Sequence, residues 1–169
     1  MVDSTTTTDI LVPEREFVAE YTVNNPAKLL GAMQELMKAV WRVSSAAAYT
    51  DKVKWDVSGE NVDFYGEWRV KDKKDSRTLV WNRIIVQGAQ NSKTKDGAVT
   101  VRIKPTMMTK IEGMTAIDMA GRAMYVKTFY KEQMRQYIET AKKRINDFDN
   151  AVRRELGVGS LVMLSIGAV

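Results

Sequence analysis

The stretch GRAMYVKTFYKEQMRQYIETAKKRINDFDNAVRREL, residues 121–156, decides the fold. Its apolar positions are Val126, Tyr130, Met134, Tyr137, Ala141, Ile145, Phe148, Val152 and Leu156, spaced four, four, three, four, four, three, four and four. An eleven-residue repeat of this kind holds the stripe on one face of a nearly straight helix. Lys127, Lys131, Glu132, Arg135, Glu139, Lys142, Lys143, Arg153 and Arg154 fall on the opposite face. At about 1.5 Å per residue the helix reaches about 54 Å, far beyond the usual three turns. One end is therefore expected to extend past the core or to dock on something. Gly157 stands where a helix ends in a left-handed residue.

Upstream of the helix the period changes to two. Residues 16–23 alternate, with Phe17, Ala19, Tyr21 and Val23 on one side, which predicts a half-buried strand. Asn25 and Pro26 read as the cap and first position of a helix. Leu29, Met33, Leu36, Val40 and Val43 carry that helix to about residue 45 or 48, with a break expected at Ser44-Ser45. Strands are then predicted around Val53, Trp55 and Val57, over 62–70, over 77–87 and at 99–103. Pro105 is expected to set off a short last strand at 107–111. The 77–87 segment is apolar on both faces, as a central or covered strand is. Residues 58–61 and 71–76 read as turns, and residues 87–97 as a polar loop ending in Asp96-Gly97. The fold class is α+β: an antiparallel meander of about six strands, one N-terminal helix, and one long C-terminal helix packed across the sheet. Residues 1–14 are expected to be a polar tail, 15–156 a single domain, and 157–169 an apolar C-terminal tail.

Composition narrows the chemistry. The 169 residues contain no cysteine and no histidine. Disulfides, thiol nucleophiles and zinc-thiolate sites are excluded, as are the commonest general base and the titration switch near neutrality. No cofactor and no catalytic site are expected. The N-terminal residues lack a basic region followed by an apolar run, and no stretch reaches the ~20 apolar residues of a membrane-spanning helix. A soluble protein of the cell interior is the expectation. The net charge is +5, and residues 51–113 carry 13 basic and 9 acidic groups, a modest field that favours anionic partners.

Three sets of candidate site residues follow. Val158, Leu161, Val162, Met163, Leu164 and Ile166 belong to an uncharged tail. Such a tail is costly to leave in water, so it is expected to be buried in its own domain, buried in another subunit, or associated with a membrane that it is too short to span. Lys71, Lys73, Lys74, Arg77, Lys93, Lys95, Lys142, Lys143 and Arg144 are clustered bases that could contact nucleic acid or another anion, with Tyr65 the one clear exposed-aromatic candidate. Asp147 and Asp149 sit too far apart around a helix to share an ion. Arg83 shares a side with Trp81 and Ile85, and needs a partner if that side faces the core.

The order strand, helix, antiparallel strands, long C-terminal helix over residues 16–156 resembles the helix-grip superfamily of START-type lipid carriers and birch-pollen-allergen-like proteins. Those proteins usually carry two short helices and six further strands after the first strand, where this chain shows one helix and five strands. The resemblance implies a cavity between sheet and helix for an apolar ligand. Its lining here would be Trp55, Phe64, Trp68, Trp81, Met124, Phe129 and Met134.

The leading expectation is a non-catalytic interaction protein, a subunit of a larger homo- or hetero-assembly that associates through the long helix and the apolar tail. A helix-grip carrier of an apolar molecule or lipid is the alternative, and an RNA- or DNA-associated factor the third.

Overall fold

Three long alternating segments form the middle of the sheet. In a computed structural model, which describes residues 4–12, 14–111 and 130–159, they are β4 (Asn61–Lys73), β5 (Thr78–Asn91) and β6 (Asp96–Ile111). The remaining strands are β1 (Ser4–Asp9), β2 (Phe17–Asn24) and β3 (Ala48–Asp56). The helices are α1 (Lys28–Trp41), a 3-10 turn (Ser45–Ala47) and the long α2 (Lys131–Leu156). All six strands form one antiparallel sheet in the order β1-β6-β5-β4-β3, with β2 also paired to β6. The chain is thus α+β, with a meander of strands and two helices on one side of it.

Even-numbered residues of β4 and β5 and odd-numbered residues of β6 face the helices. Phe64, Trp68, Val70, Val80, Ile84, Val86, Val99, Val101, Ile103 and Met107 are all buried there. Against them pack Leu29, Met33, Met37 and Trp41 of α1, and Ala141, Ile145, Phe148 and Val152 of α2. The Trp41 and Phe148 rings meet at 5.2 Å and join the two helices. Gly66 is required by its neighbour, since a Cβ there would overlap the indole of Trp68.

The predicted stripe of α2 is buried from Ala141 to Leu156, while Met134 and Tyr137 are half-buried. Val126, and any helix before Tyr130, lies outside the described residues. Gly157 closes α2 at φ 73, and its N–H and that of Val158 bond the carbonyls of Arg154 and Arg153. This is the paired bonding of a left-handed helix end.

Several boundaries differ from the sequence reading, each for a physical reason. The first fourteen residues are not simply a tail, because 4–9 pairs along β6 as β1. β1 and β2 share one edge of β6, and the ladder is interrupted between them, so that Lys104 and Pro105 have no partner on that edge among the described residues. Pro105 therefore lies inside one continuous strand, at a gap where that side of the ladder has no partner to ask for an N–H. The polar 87–97 segment is mostly ladder: β5 runs to Asn91 and the turn is confined to 92–95. Asn25 is not a cap but adopts φ 54 and reverses the chain, and α1 starts at Lys28. The same helix ends at Trp41, where Arg42 turns left-handed at φ 54, before the expected break.

Phe148 is completely buried between α1 and the sheet. Phe148→Asp places an unpaired carboxylate there and should lower the unfolding free energy by at least about 3 kcal/mol, read from urea denaturation. A loss below about 1 kcal/mol, the range of surface substitutions, would mean the face is not buried.

Candidate functional site

The end of the β4–β5 hairpin is tied to the first turns of α2 by one carboxylate. Asp75 accepts hydrogen bonds from the N–H groups of Arg77 and Thr78, both at 2.6 Å, and from the hydroxyls of Tyr137 at 2.9 Å and Tyr130 at 3.3 Å. Burial pushes its pKa up, but these donors outweigh burial and hold the carboxyl below its ordinary value. Next to it Lys71, Lys73 and Arg77 come together, joined by Lys110, around a cleft of about 320 Å³ with Leu79, Trp81 and Met108 on its floor. The Lys71 ammonium and the Arg69 guanidinium stand 6.0 and 5.6 Å from the Trp81 ring.

The other predicted bases are elsewhere. Lys74 turns inward and pairs with Asp72 at 2.7 Å. Lys93 and Lys95 occupy the β5–β6 turn, at the far end of β5. Lys142 pairs with Glu139, while Lys143 and Arg144 line a groove between the helices. The bases thus form separate patches, not one track. On the outer face of the sheet Arg83 is exposed and bonded to Glu67 at 2.5 Å, so it needs no buried partner. Tyr65 also bonds Glu67, at 3.0 Å, and is half-buried.

The α1–α2 groove encloses about 730 Å³. Leu36, Ala39, Val40 and Ala151 give it an apolar lining, and Arg42, Lys143, Arg144, Arg154 and Asp147 are the charged residues that line it. Their spacing by threes and fours along each helix puts them on one face. Arg144 also donates to the carbonyl of Val40 in the last turn of α1, where helix carbonyls lack partners. Arg153, which the charge pattern put on the outer face of α2, is instead buried. It bonds Asp149 at 2.8 Å and lies over the Tyr21 ring, and the Tyr21 hydroxyl donates to the same Asp149. Burial, then the Asp149 carboxylate, pushes the Tyr21 pKa far above its usual range.

The proposed cavity residues do not converge. Phe64 and Trp68 are packed in the core and Met134 is half-buried. Trp81 lies on the opposite, outer face. Trp55 is in register with Phe64 and on its side of the sheet, but it is 53% exposed. Among the described residues nothing covers the predicted apolar face of this strand: Val53 is 44% and Val57 72% exposed, because the two described helices do not reach over it. Residues 49–61 are exposed without interruption. Met124 and Phe129 lie outside the described residues, as do Leu161, Val162, Met163, Leu164 and Ile166. Val158 packs half-buried on the core.

One residue went unnoticed in the sequence. Asn82 is on the inner face, 1% exposed, and among the described residues neither its amide nitrogen nor its oxygen has a hydrogen-bond partner. Buried Thr78, Thr109 and Asp72 occupy the same end of the inner face. Its parity with Val80, Ile84 and Val86 was the available signal.

No family model and no curated protein matches the chain. Among solved structures, a protein of unknown function from Staphylococcus aureus aligns over 90% of this chain and 96% of its own, at 8% identity and a TM-score of 0.31. An uncharacterized protein from Rhizobium leguminosarum aligns over 91% and 99%, at 9% identity and a TM-score of 0.27. Ara h 8.0201 aligns over 89% and 99%, at 10% identity and a TM-score of 0.23. Scores this low add no weight to the helix-grip resemblance.

The resolved pKa shifts set the expected pH profile. With no histidine in the chain, and with the shifted tyrosines raised and the shifted Asp and Glu groups lowered, thermal stability should be flat between pH 6 and 8. The lowered Asp75 contributes stability above the ordinary carboxylate value, about 3.9, that is lost as pH falls through its folded value. The raised Tyr21 contributes stability that is present below about pH 10 and lost as pH climbs toward its folded value. Circular dichroism melts from pH 3 to 11 check this, and Asp75→Asn should flatten the acid limb. A sharp transition near pH 6.5 would contradict the assignment.

Proposed function

We propose that this protein is a non-catalytic subunit of a larger assembly, and that it associates through the helical side of the molecule and the apolar C-terminal tail. The observation that carries the reading is the α1–α2 groove. It is open, lined by apolar side chains and by charge, and the described residues leave it unfilled. A groove of this size beside a 26-residue helix provides the pocketed, partly apolar surface that stable interfaces use. The tail residues Leu161, Val162, Met163, Leu164 and Ile166 follow directly after the close of α2 and carry no charge. Each large apolar side chain contributes about 1.5–3 kcal/mol when fully buried, offset by about 1–2 kcal/mol per residue for ordering the backbone. A preformed groove or strand edge on a neighbouring subunit makes that balance favourable.

A carrier function is the second reading, favoured by Asn82. A buried amide with both polar atoms unpartnered is rare in a folded protein and marks a place where a bound molecule could supply the missing hydrogen bonds. A ligand held there should appear as added mass in native mass spectrometry and should be lost in Asn82→Leu. If nothing is bound, the same substitution should leave the mass unchanged and raise stability by about 1–3 kcal/mol, as an unpaired buried amide is removed.

Truncation after Gly157 tests the assembly reading. The shortened chain should keep its circular dichroism and cooperative melting, because the described strands and helices already supply a core of fully buried side chains. Its assembled mass by light scattering should fall. A truncated chain that fails to fold would assign the tail to the subunit's own core.

A further inference from the structure

The molecule carries two exposed patches of opposite charge at different places. The first is the tip of the β3–β4 hairpin. Residues 55–63 hold three carboxylates, Asp56, Glu60 and Asp63, and no base. Between them Trp55 and Val57 are exposed. Of the six large hydrophobic side chains exposed among the described residues, four belong to residues 49–57, so the apolar surface is concentrated on this hairpin. The second patch is the α1–α2 groove, where Arg42, Lys143, Arg144 and Arg154 stand with one carboxylate, Asp147, in an otherwise apolar lining.

Lys54, and Lys93 and Lys95 of the β5–β6 turn, whose Ser92 N–H bonds the Glu60 carbonyl at 3.0 Å, stand beside the tip, but the tip carboxylates are in ion-pair contact with none of them. Among the described residues Arg42, Lys143 and Arg154 form no ion pair, and neither do Asp56, Glu60 and Asp63. Asp56 accepts only from Ser58, through its N–H at 2.9 Å and its hydroxyl at 2.6 Å. The outer sheet face differs, since Arg69 is matched by Asp51 and Arg83 by Glu67. Nor can the tip reach its own groove. Gln34 of α1 bonds the carbonyl of Ala48 at the start of β3, and the strand then carries the tip away by about 3.3 Å per residue.

From this complementarity we infer that the β3–β4 hairpin tip of one copy seats in the α1–α2 groove of a second copy. This deepens the assembly reading above and rests on it. Trp55 and Val57 meet the apolar lining while the three carboxylates meet the three unpaired cations. The two surfaces differ, so the contact is heterologous. Each added copy presents a fresh tip and a fresh groove, and the assembly closes into a ring or continues as a filament. Charge contacts at a partly exposed interface weaken with added salt.

The test uses the full chain and two charge-reversed variants, one with Arg42→Glu, Lys143→Glu and Arg154→Glu, the other with Asp56→Lys, Glu60→Lys and Asp63→Lys. Each variant alone should be monomeric by sedimentation velocity, with the circular dichroism of the wild type. An equimolar mixture should recover assembly, because each groove then meets a tip of opposite sign. The single reversals Lys143→Glu and Glu60→Lys, mixed in the same way, carry the test if either triple variant does not fold. Variants that assemble alone as the wild type does would overturn the tip-in-groove contact and leave the assembly reading standing. A wild-type chain that stays monomeric at every concentration and at low salt would overturn both.

Discussion

The contact between Trp41 and Phe148 is the constraint on which the rest of the arrangement depends. One ring comes from the last residue of α1 and the other from the middle of α2, and both are buried against the sheet. At this contact α1 does not run on along its own axis. It stops at Trp41, Arg42 turns left-handed, and the chain drops through the 3-10 turn into β3. The same contact sets the two helices side by side, which creates the groove between their outer faces. It also fixes how far the helical layer extends across the sheet. That layer covers β4, β5 and β6 and stops short of β3, whose residues after Ala48 are all exposed.

The parts of the fold legible in the sequence were those where one periodicity governs a long segment. The stripe from Ala141 to Leu156 and the alternation over β4 were both strong enough to place buried and exposed faces correctly, whereas β5, apolar on both faces, did not say which of them the helices cover. The errors arose where burial depends on what a neighbour does. Trp55 alternates with Val53 and Val57 as a half-buried strand should, but alternation says only which residues share a face, not whether anything covers it. Pro105 looked like a terminator because its cost is judged residue by residue. Its missing N–H is harmless because β1 pairs from Thr106 onward and β2 up to Ile103, which is a property of the pairing of two distant segments. The Thr-rich start reads as disordered by composition, yet β6 offers it a full edge.

The candidate sites were legible as residue types and not as assemblies. Lys71, Lys73 and Arg77 are near in sequence and stay together, whereas Lys74 between them turns inward to Asp72. Lys110 reaches the same cleft from β6, thirty-three residues beyond Arg77 in the chain. Arg153 was read as solvated because its neighbours on the charged face are. In fact its guanidinium lies over Tyr21 and satisfies Asp149, which only the placement of β2 against α2 makes possible. Conversely, the groove combines Arg42 of the α1 terminus with Lys143 and Arg154, more than a hundred residues later.

Exposed strand edges ordinarily invite pairing with another sheet, and among the described residues β3 is such an edge. Several features oppose that outcome here. Asp51, Lys52, Lys54 and Asp56 put charge of both signs along the strand, and the pairing register shifts between Thr50 and Lys52. A second edge strand laid alongside would meet an irregular ladder and a mixture of charges. The apolar side chains of the same strand, Val53 and Trp55, project from its face and are not hindered by either feature. The hairpin is therefore better suited to insertion by its face and tip than to extension of the sheet by its edge. A recess that is apolar within and lined by bases suits that tip in polarity and in sign of charge, whereas a bare strand edge suits it in neither.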